Sequence, residues 1–429
     1  MPQRRIKVDY LARVEGEGAL DIRLSDGKVA ELKLKIWEPP RLFEAFLTGR
    51  SYLELPDMVS RICGICPVAY QMSATHATER AFGVTVGGAI RKLRRLFYIG
   101  EWIESHLLHI YMLAAPDFLG YGSVIPMAKD YPEAVKRGLR LKRLGNDIVV
   151  LLAGREINPV SARAGGFYRV PARDDLLPLL DRLQEAKDDA ARTVEWVASF
   201  DIPDLSRDIE FVSLRHPDEY PMSEGRLVSS KGLDVVPEDF ESHFAEEQVP
   251  YSTALRSTIR GRGAYFVGPL ARVNLNLDKL SPDAQAAARR AGIQFPNANP
   301  FTSIIARALE VLHAVDEAME IIQSYAQPAA PFVETRPRAA RGAAITEAPR
   351  GILYHRYDFD ADGLIRKAVI IPPTAQNQRQ IEEDLLEYVP RVIDLPIDQA
   401  TLKCEMAIRN YDPCISCSTH FLKLNIQYS

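Results

Sequence analysis

Apolar and polar residues alternate over the first 37 positions, at Ile6 and Val8, at Leu20, Ile22 and Leu24, and at Leu32, Leu34 and Ile36. Strand side chains point to alternate faces, so the run predicts a small antiparallel sheet within 1–40, turned at Asp26-Gly27. Helical spacing then takes over. Ile90, Leu93, Leu96, Phe97, Ile103, Leu107 and Ile110 share one helical face and predict a helix from Gly88 to Leu113. Pro132 opens a second that runs to Ala153, and Gly138 and Gly145 inside it either weaken it or mark close helix packing. Asp174–Ser199 and Thr302–Tyr325 carry further long helical patterns.

Between 201 and 300 prolines, glycines and short apolar runs alternate, which reads as an irregular excursion with a few strands. Strand signals return from 340 to 374, with a turn at Asp360-Ala361-Asp362-Gly363, and helices follow near 379–389 and 398–409. There is no internal repeat and no clean linker. The expected fold is mainly α with small β-sheets (α+β), one folding unit over 1–429. A central bundle of long helices at 88–200 and 302–326 sits between the N-terminal sheet and a C-terminal part at 340–429.

Composition narrows the class. The chain has 429 residues, 47% hydrophobic and 26% charged, with a net charge of −4. No long block of one sign gives a nucleic-acid footprint. The Arg91-Lys92 and Arg94-Arg95 clusters read as a solvated helix face. No window reaches about 18 uninterrupted apolar residues, so no membrane span is expected. No apolar signal core follows Arg4-Arg5. Five cysteines are too few for a disulfide scaffold, and paired cysteines point to metal or redox chemistry in the cytoplasm.

Four of those five form two Cys-x-x-Cys pairs at opposite ends of the chain, Cys63/Cys66 and Cys414/Cys417; the fifth is Cys404. Each pair can ligate one ion, and together they make a four-thiolate set. Structural zinc is one reading and two unrelated dithiols another. Zinc ribbons space their pairs about 15–20 residues apart, however, and here almost the whole chain intervenes.

The flanks add specificity. Arg61-Ile62-Cys63-Gly64-Ile65-Cys66-Pro67 and Asp412-Pro413-Cys414-Ile415-Ser416-Cys417-Ser418-Thr419-His420 resemble the two cysteine motifs of the nickel-iron hydrogenase large subunit. Arg13-Val14-Glu15-Gly16, Arg41-Leu42-Phe43-Glu44, Ala115-Pro116-Asp117-Phe118, Gly165-Gly166-Phe167 and Glu347-Ala348-Pro349-Arg350-Gly351 match in the same order. The resemblance spans essentially the full length and implies the nickel-iron hydrogenase large-subunit fold.

It also implies roles. Cys63 and Cys414 would be terminal nickel ligands, and Cys66 and Cys417 would bridge nickel to an iron completed by carbon monoxide and cyanide. Glu15 would relay the proton from Cys414 during heterolytic cleavage of H2. Arg350 would hang over the metals, held by Asp117 and Asp412, with Pro349 shaping the pocket. A structural magnesium (or ferrous) ion would take Glu44, His420 and a carbonyl of the Ala368–Ile371 strand, expected at Val369. Two positions depart from the family pattern. Tyr70 stands where many members have a histidine, which His76 does not restore, and Asn158-Pro159 replaces a common His-Pro.

Short length and the Pro67-Val68-Ala69-Tyr70-Gln71 run are similar to the multimeric NADP- or NAD-linked enzymes of the sulfhydrogenase type. With no cysteines left for iron-sulfur clusters, the resemblance implies an iron-sulfur small subunit, flavin/NAD(P) diaphorase and ferredoxin-like subunits. It implies nickel-insertion proteins and a maturation protease, and the tail after His420 is either a segment that this protease removes or a retained end. The competing readings are a quinone-binding complex I-like subunit of the same fold and a zinc-stapled interaction protein.

Overall fold

The computed structural model describes residues 4–25, 28–37 and 42–419. Strands Arg4–Val8, Gly18–Ser25 and Lys28–Ile36 form an antiparallel sheet in chain order. Its inner face carries the alternating Ile6, Leu20, Ile22, Leu24 and Leu34, all buried. The expected turn at Asp26-Gly27 lies outside the described residues.

Four long helices make the bundle: Gly88–Leu107, Pro132–Ala153, Arg173–Ala198 and Ser303–Gln323. Ser303–Gln323 is buried on nearly every side and packs against both Gly88–Leu107 and Arg173–Ala198. The two glycines of Pro132–Ala153 mark close packing. A Cβ on Gly145 would stand 2.6 Å from the Gly100 carbonyl, and one on Gly138 2.5 Å from the Tyr111 ring.

Two expectations are corrected here. Gly88–Leu107 does not run on regularly to Leu113; a π-helix, Leu108–Ala114, follows and leads into Ala115–Phe118. Such insertions re-aim a helix end, here the one that carries Asp117. Nor are the basic clusters a wholly solvated face: Lys92 is exposed, but Arg91 is half-buried on Glu219 and Glu224. Arg94 and Arg95 are buried, Arg94 on Glu79 and Arg95 on Glu219 and Glu317. Their charges are paired inside the fold, which spacing on one helix could not reveal.

The excursion holds two small antiparallel sheets and, among its helices, Pro269–Asn276 and Pro282–Arg290. The C-terminal part is a meander of Ala340–Ala348, Gly351–Phe359 and Ile365–Ile371. Ala348 pairs with Gly351, so Pro349-Arg350 is a two-residue hairpin loop. Gly351 holds φ +133°, where a Cβ would stand 2.6 Å from Val267. The turn at 360–363 forms as expected, with Asp360 Oδ1 accepting from the Asp362 and Leu364 N–H groups. The helix expected near 379–389 is Pro373–Val392. Its first half escaped the apolar pattern because Gln376, Asn377, Gln378 and Gln380 face the interior. Ile397–Arg409 follows. A continuous buried cluster joins Ile6 of the first strand, the bundle, and all four paired cysteines.

Candidate metal centre

The first pair sits on the loop between Leu55–Ser60 and Pro67–Phe82, with Cys66 at the N-cap of the second helix. The Cys66 N–H donates to Cys63 Sγ at 3.2 Å. The second pair sits just beyond Ile397–Arg409, where Asp412 takes a left-handed φ of +50° and Ile415–Ser418 follows. Two contacts place that loop. Ile415 N–H donates to the Glu15 carbonyl at 2.8 Å, and Cys414 N–H to Thr374 Oγ1 at 2.9 Å. The end of the chain is thus stitched to its beginning.

This closure brings the four sulfurs together. Cys63 Sγ lies 3.6 Å from Cys414 Sγ, which lies 2.7 Å from Cys417 Sγ. The sulfurs of Cys63, Cys66 and Cys417 are all within 4.8 Å of one another. All four are buried and none forms a disulfide. Burial drives the Cys66, Cys414 and Cys417 thiols up from their ordinary pKa. Burial also opposes the Cys63 thiolate, but hydrogen bonds from the other three thiols hold it well below the ordinary value. Only a cation could keep all four ionised.

Glu15 Oε2 accepts from Cys414 Sγ at 3.0 Å and from the Ser416 N–H at 3.0 Å. Arg350 donates through Nε to the Asp412 carbonyl at 2.7 Å and through Nη2 to Asp412 Oδ1 at 3.2 Å. Burial works against its charge, but Asp412 and the Cys414, Cys66 and Cys63 sulfurs hold its pKa well above the ordinary range. Pro349 is fixed beside it. Arg272, fully buried, donates to the Pro349 carbonyl at 3.0 Å and the Ala348 carbonyl at 2.9 Å while pairing with Glu310 and Glu347.

Asp117 is placed differently from the expectation. It holds Arg409, at 2.6 and 2.8 Å, and Arg13, not Arg350. Both its oxygens are occupied by those two guanidinium groups, so Arg350 is left to Asp412 alone. Arg409, Thr374 and Arg272 were not expected at the site. Each is an ordinary helix residue, and only the docking of its helix gives it a role.

Glu44, on Phe43–Leu47, reaches the last strand, where its Oε1 accepts from the Ile370 N–H at 2.7 Å. Burial pushes its pKa up to about 7. A strand residue turns its own N–H and C=O to the same side, so the carbonyl facing Glu44 is that of Ile370, and the Val369 carbonyl faces the neighbouring strand. His420 lies outside the described residues.

Tyr70 is buried, and its ring lies 5.6 Å from that of His355, which comes from Gly351–Phe359. An imidazole therefore stands beside the position where the family histidine is missing. Asn158 holds a left-handed φ of +49°, and the next residue, Pro159, accepts from Gln71 Nε2 at 2.6 Å.

The chain matches the nickel-dependent hydrogenase family over residues 41–137 and 239–420. It is 33% identical to sulfhydrogenase 1 subunit alpha of Pyrococcus furiosus, over 98% of each chain. It is 28% identical to NAD-reducing hydrogenase HoxS subunit beta of Cupriavidus necator, over 98% of this chain and 95% of that one. The chain belongs to the nickel-dependent hydrogenases. Its fold superposes on a crystal structure of an H2-reduced NAD+-reducing [NiFe]-hydrogenase with a TM-score of 0.87 and 30% identity, covering 97% of this chain and 99% of the other. It is a hydrogenase large subunit, and the oxidation of H2 is its reaction.

The residues present fit a nickel-iron group. Four soft donors converge, the set that thiolate-bound nickel and iron require. Around them, Arg350 Nη1, Asp412 Oδ2 and Tyr70 Oη are buried without a hydrogen-bond partner among the described residues. Buried polar atoms are rarely left so, and three around one sulfur cluster mark space for a polar group.

Proposed function

We propose that the chain is the catalytic subunit of a multi-subunit, NAD(P)-linked hydrogenase that oxidises H2 reversibly to protons and electrons. One observation carries this: Glu15 Oε2 stands 3.0 Å from Cys414 Sγ at the edge of four buried cysteine sulfurs. Cys63 and Cys414 would hold nickel, Cys66 and Cys417 would hold nickel together with an iron completed by carbon monoxide and cyanide, and the group would supply the site at which H2 is split.

The protein's residues do the rest. Heterolytic cleavage leaves a proton that needs a base within hydrogen-bond reach. Glu15 is that base: it takes the proton held at Cys414 Sγ, while the Ser416 N–H steadies the accepting oxygen. Arg350, anchored by Asp412, keeps a fixed positive charge beside the sulfurs, and Pro349 fixes the loop that presents it. In a dry site such a charge acts far more strongly than in water. Asp117 acts one step away, holding Arg409 and Arg13 in the segments that lead into Cys414 and Glu15. A magnesium (or ferrous) ion at Glu44, the Ile370 carbonyl and His420 would tie the two ends of the chain together.

The named relatives are single subunits of larger assemblies, sulfhydrogenase subunit alpha and NAD-reducing hydrogenase subunit beta. Cys404, buried by itself, cannot hold a cluster. Electrons therefore pass to a partner iron-sulfur small subunit, then through a flavin subunit to NADP or NAD in the cytoplasm. Among the described residues no helix is long and apolar enough to cross a membrane.

Purification with the native partners tests the reading. Metal analysis should find nickel and iron, infrared spectra should show bands of iron-bound diatomics, and H2 should drive reduction of NADP or NAD. Zinc alone, or no metal, would sink the reading. Mass spectrometry of the active enzyme shows whether the chain ends at His420.

A further inference from the structure

Beside each cysteine pair, one or two backbone N–H groups end on a carboxyl group from a distant part of the chain. For Cys414 and Cys417 that carboxylate is Glu15, which takes the Ser416 N–H between them. For Cys66 it is Glu101, which lies in Gly88–Leu107 and so belongs to the bundle. Its Oε2 accepts from the Val68 N–H at 2.6 Å and its Oε1 from the Ala69 N–H at 3.0 Å.

The helix Pro67–Phe82 has few other ways to satisfy its first turn. Pro67 has no N–H, the Cys66 side chain does not cap the helix, and the Tyr70 N–H reaches the Cys66 carbonyl only at 3.5 Å. Val68 and Ala69 are the donors that need an acceptor, and Glu101 serves both. Glu101 is 1% exposed, and the charged groups that act on it most strongly, Glu104 and Cys63, are themselves acidic. Its carboxyl is therefore held there by the two backbone bonds, against the cost of burial.

We infer that Glu101 is a positioning residue of the metal centre: by capping the helix that begins at Pro67, it sets where Cys66 delivers its sulfur. The inference rests on the nickel-iron reading of the four thiolates. Gly88–Leu107 packs tightly into the bundle where its Gly100 meets Gly145, so the cap is anchored to the helix bundle. Groups that orient a metal ligand typically contribute about 10- to 100-fold in affinity or activity when removed.

The test uses the enzyme purified with its native partners, as wild type, Glu101→Gln and Glu101→Leu. Gln is isosteric, keeps one acceptor and turns an NH2 toward the other N–H, so the variant folds while half the cap is lost. The expected result is a folded Glu101→Gln enzyme whose melting temperature falls by a few degrees at most, with shifted infrared bands or nickel paramagnetic resonance and H2 turnover about 10- to 100-fold lower. A folded Gln variant that fails to load metal supports the inference as well. Glu101→Leu should show the larger effect. A Gln variant with wild-type spectra and turnover overturns the inference, even if Glu101→Leu melts early, because a role confined to helix stability would give that pattern. A wild-type enzyme without nickel, iron or the bands overturns the nickel-iron reading first and the inference with it.

Discussion

Glu15 and Cys414 lie opposite each other in a backbone bridge and also meet through their side chains. The Ile415 N–H meets the Glu15 carbonyl at 2.8 Å, and Cys414 Sγ meets Glu15 Oε2 at 3.0 Å. The backbone contact fixes the loop whatever the side chain at position 15, so geometry and proton transfer can be separated. Glu15→Gln keeps the Ile415 bond and an oxygen for the Ser416 N–H but cannot carry the proton. It should retain nickel and iron while H2 turnover falls about 10²- to 10⁴-fold, the usual worth of a general base. Metal analysis beside H2-dependent dye reduction checks it, and undiminished turnover would remove Glu15 from the proton path.

Arg350 and Asp412 are a buried ion pair at the tip of the Pro349-Arg350 hairpin loop, 3% exposed at each residue. Arg350→Met leaves the Asp412 carboxylate buried without its cation and should destabilise the fold by about 3–5 kcal/mol. Arg350→Lys keeps the charge but cannot reach both the carbonyl and the carboxylate of Asp412. It should hold its metals and most of its stability yet turn over H2 far more slowly. A Lys variant with near-full activity would refute the positional role of the guanidinium.

The legible parts of this protein are those written locally. Pro132–Ala153 is punctuated at both ends, by Pro132 in its first turn and by Gly154 at φ +83° just past its end, and it forms as read. The cysteine pairs and their flanks are local motifs too. What stayed hidden depends on docking. Asp117 and Asp412 each faced a choice of arginines, and which one each meets is decided by how Ile397–Arg409 lies against the π-helix end, where His109 Nε2 stands 2.7 Å from the Arg409 carbonyl. Glu101 carries no local signal, because the N–H groups it caps are more than 30 residues away in sequence.

Gly145 and Gly100 face each other across two helices at a distance that admits no side chain. On helix propensity alone, Gly145→Ala should stabilise by roughly 0.5–1 kcal/mol. Here its Cβ would meet the Gly100 carbonyl at 2.6 Å and the Glu104 N–H nitrogen at 2.8 Å, both backbone atoms that cannot rotate away. We expect destabilisation by about 1–3 kcal/mol, as for other overpacked cores. The sign of the change in denaturant midpoint decides between the two effects.

The fully buried Arg272 is flanked by two carboxylates, and a dry interior favours a neutral cluster. Burial tends to raise the pKa of both. Arg272 nevertheless holds Glu310 far below the carboxylate range, whereas burial pushes Glu347 up to about 7 from 4.5. Glu347 is therefore the member that keeps its proton. Its folded pKa is raised, so the native state binds more protons than the unfolded chain between these two values, and stability is lost as pH climbs through that window. Glu347→Gln cannot titrate. The difference in unfolding free energy between variant and wild type should shift in the variant's favour by about 3 kcal/mol between acid and neutral pH, at 1.36 kcal/mol per pKa unit. Denaturant titrations of both proteins across that range measure it directly. A difference flat with pH would mean that Glu347 is ionised beside Arg272 throughout.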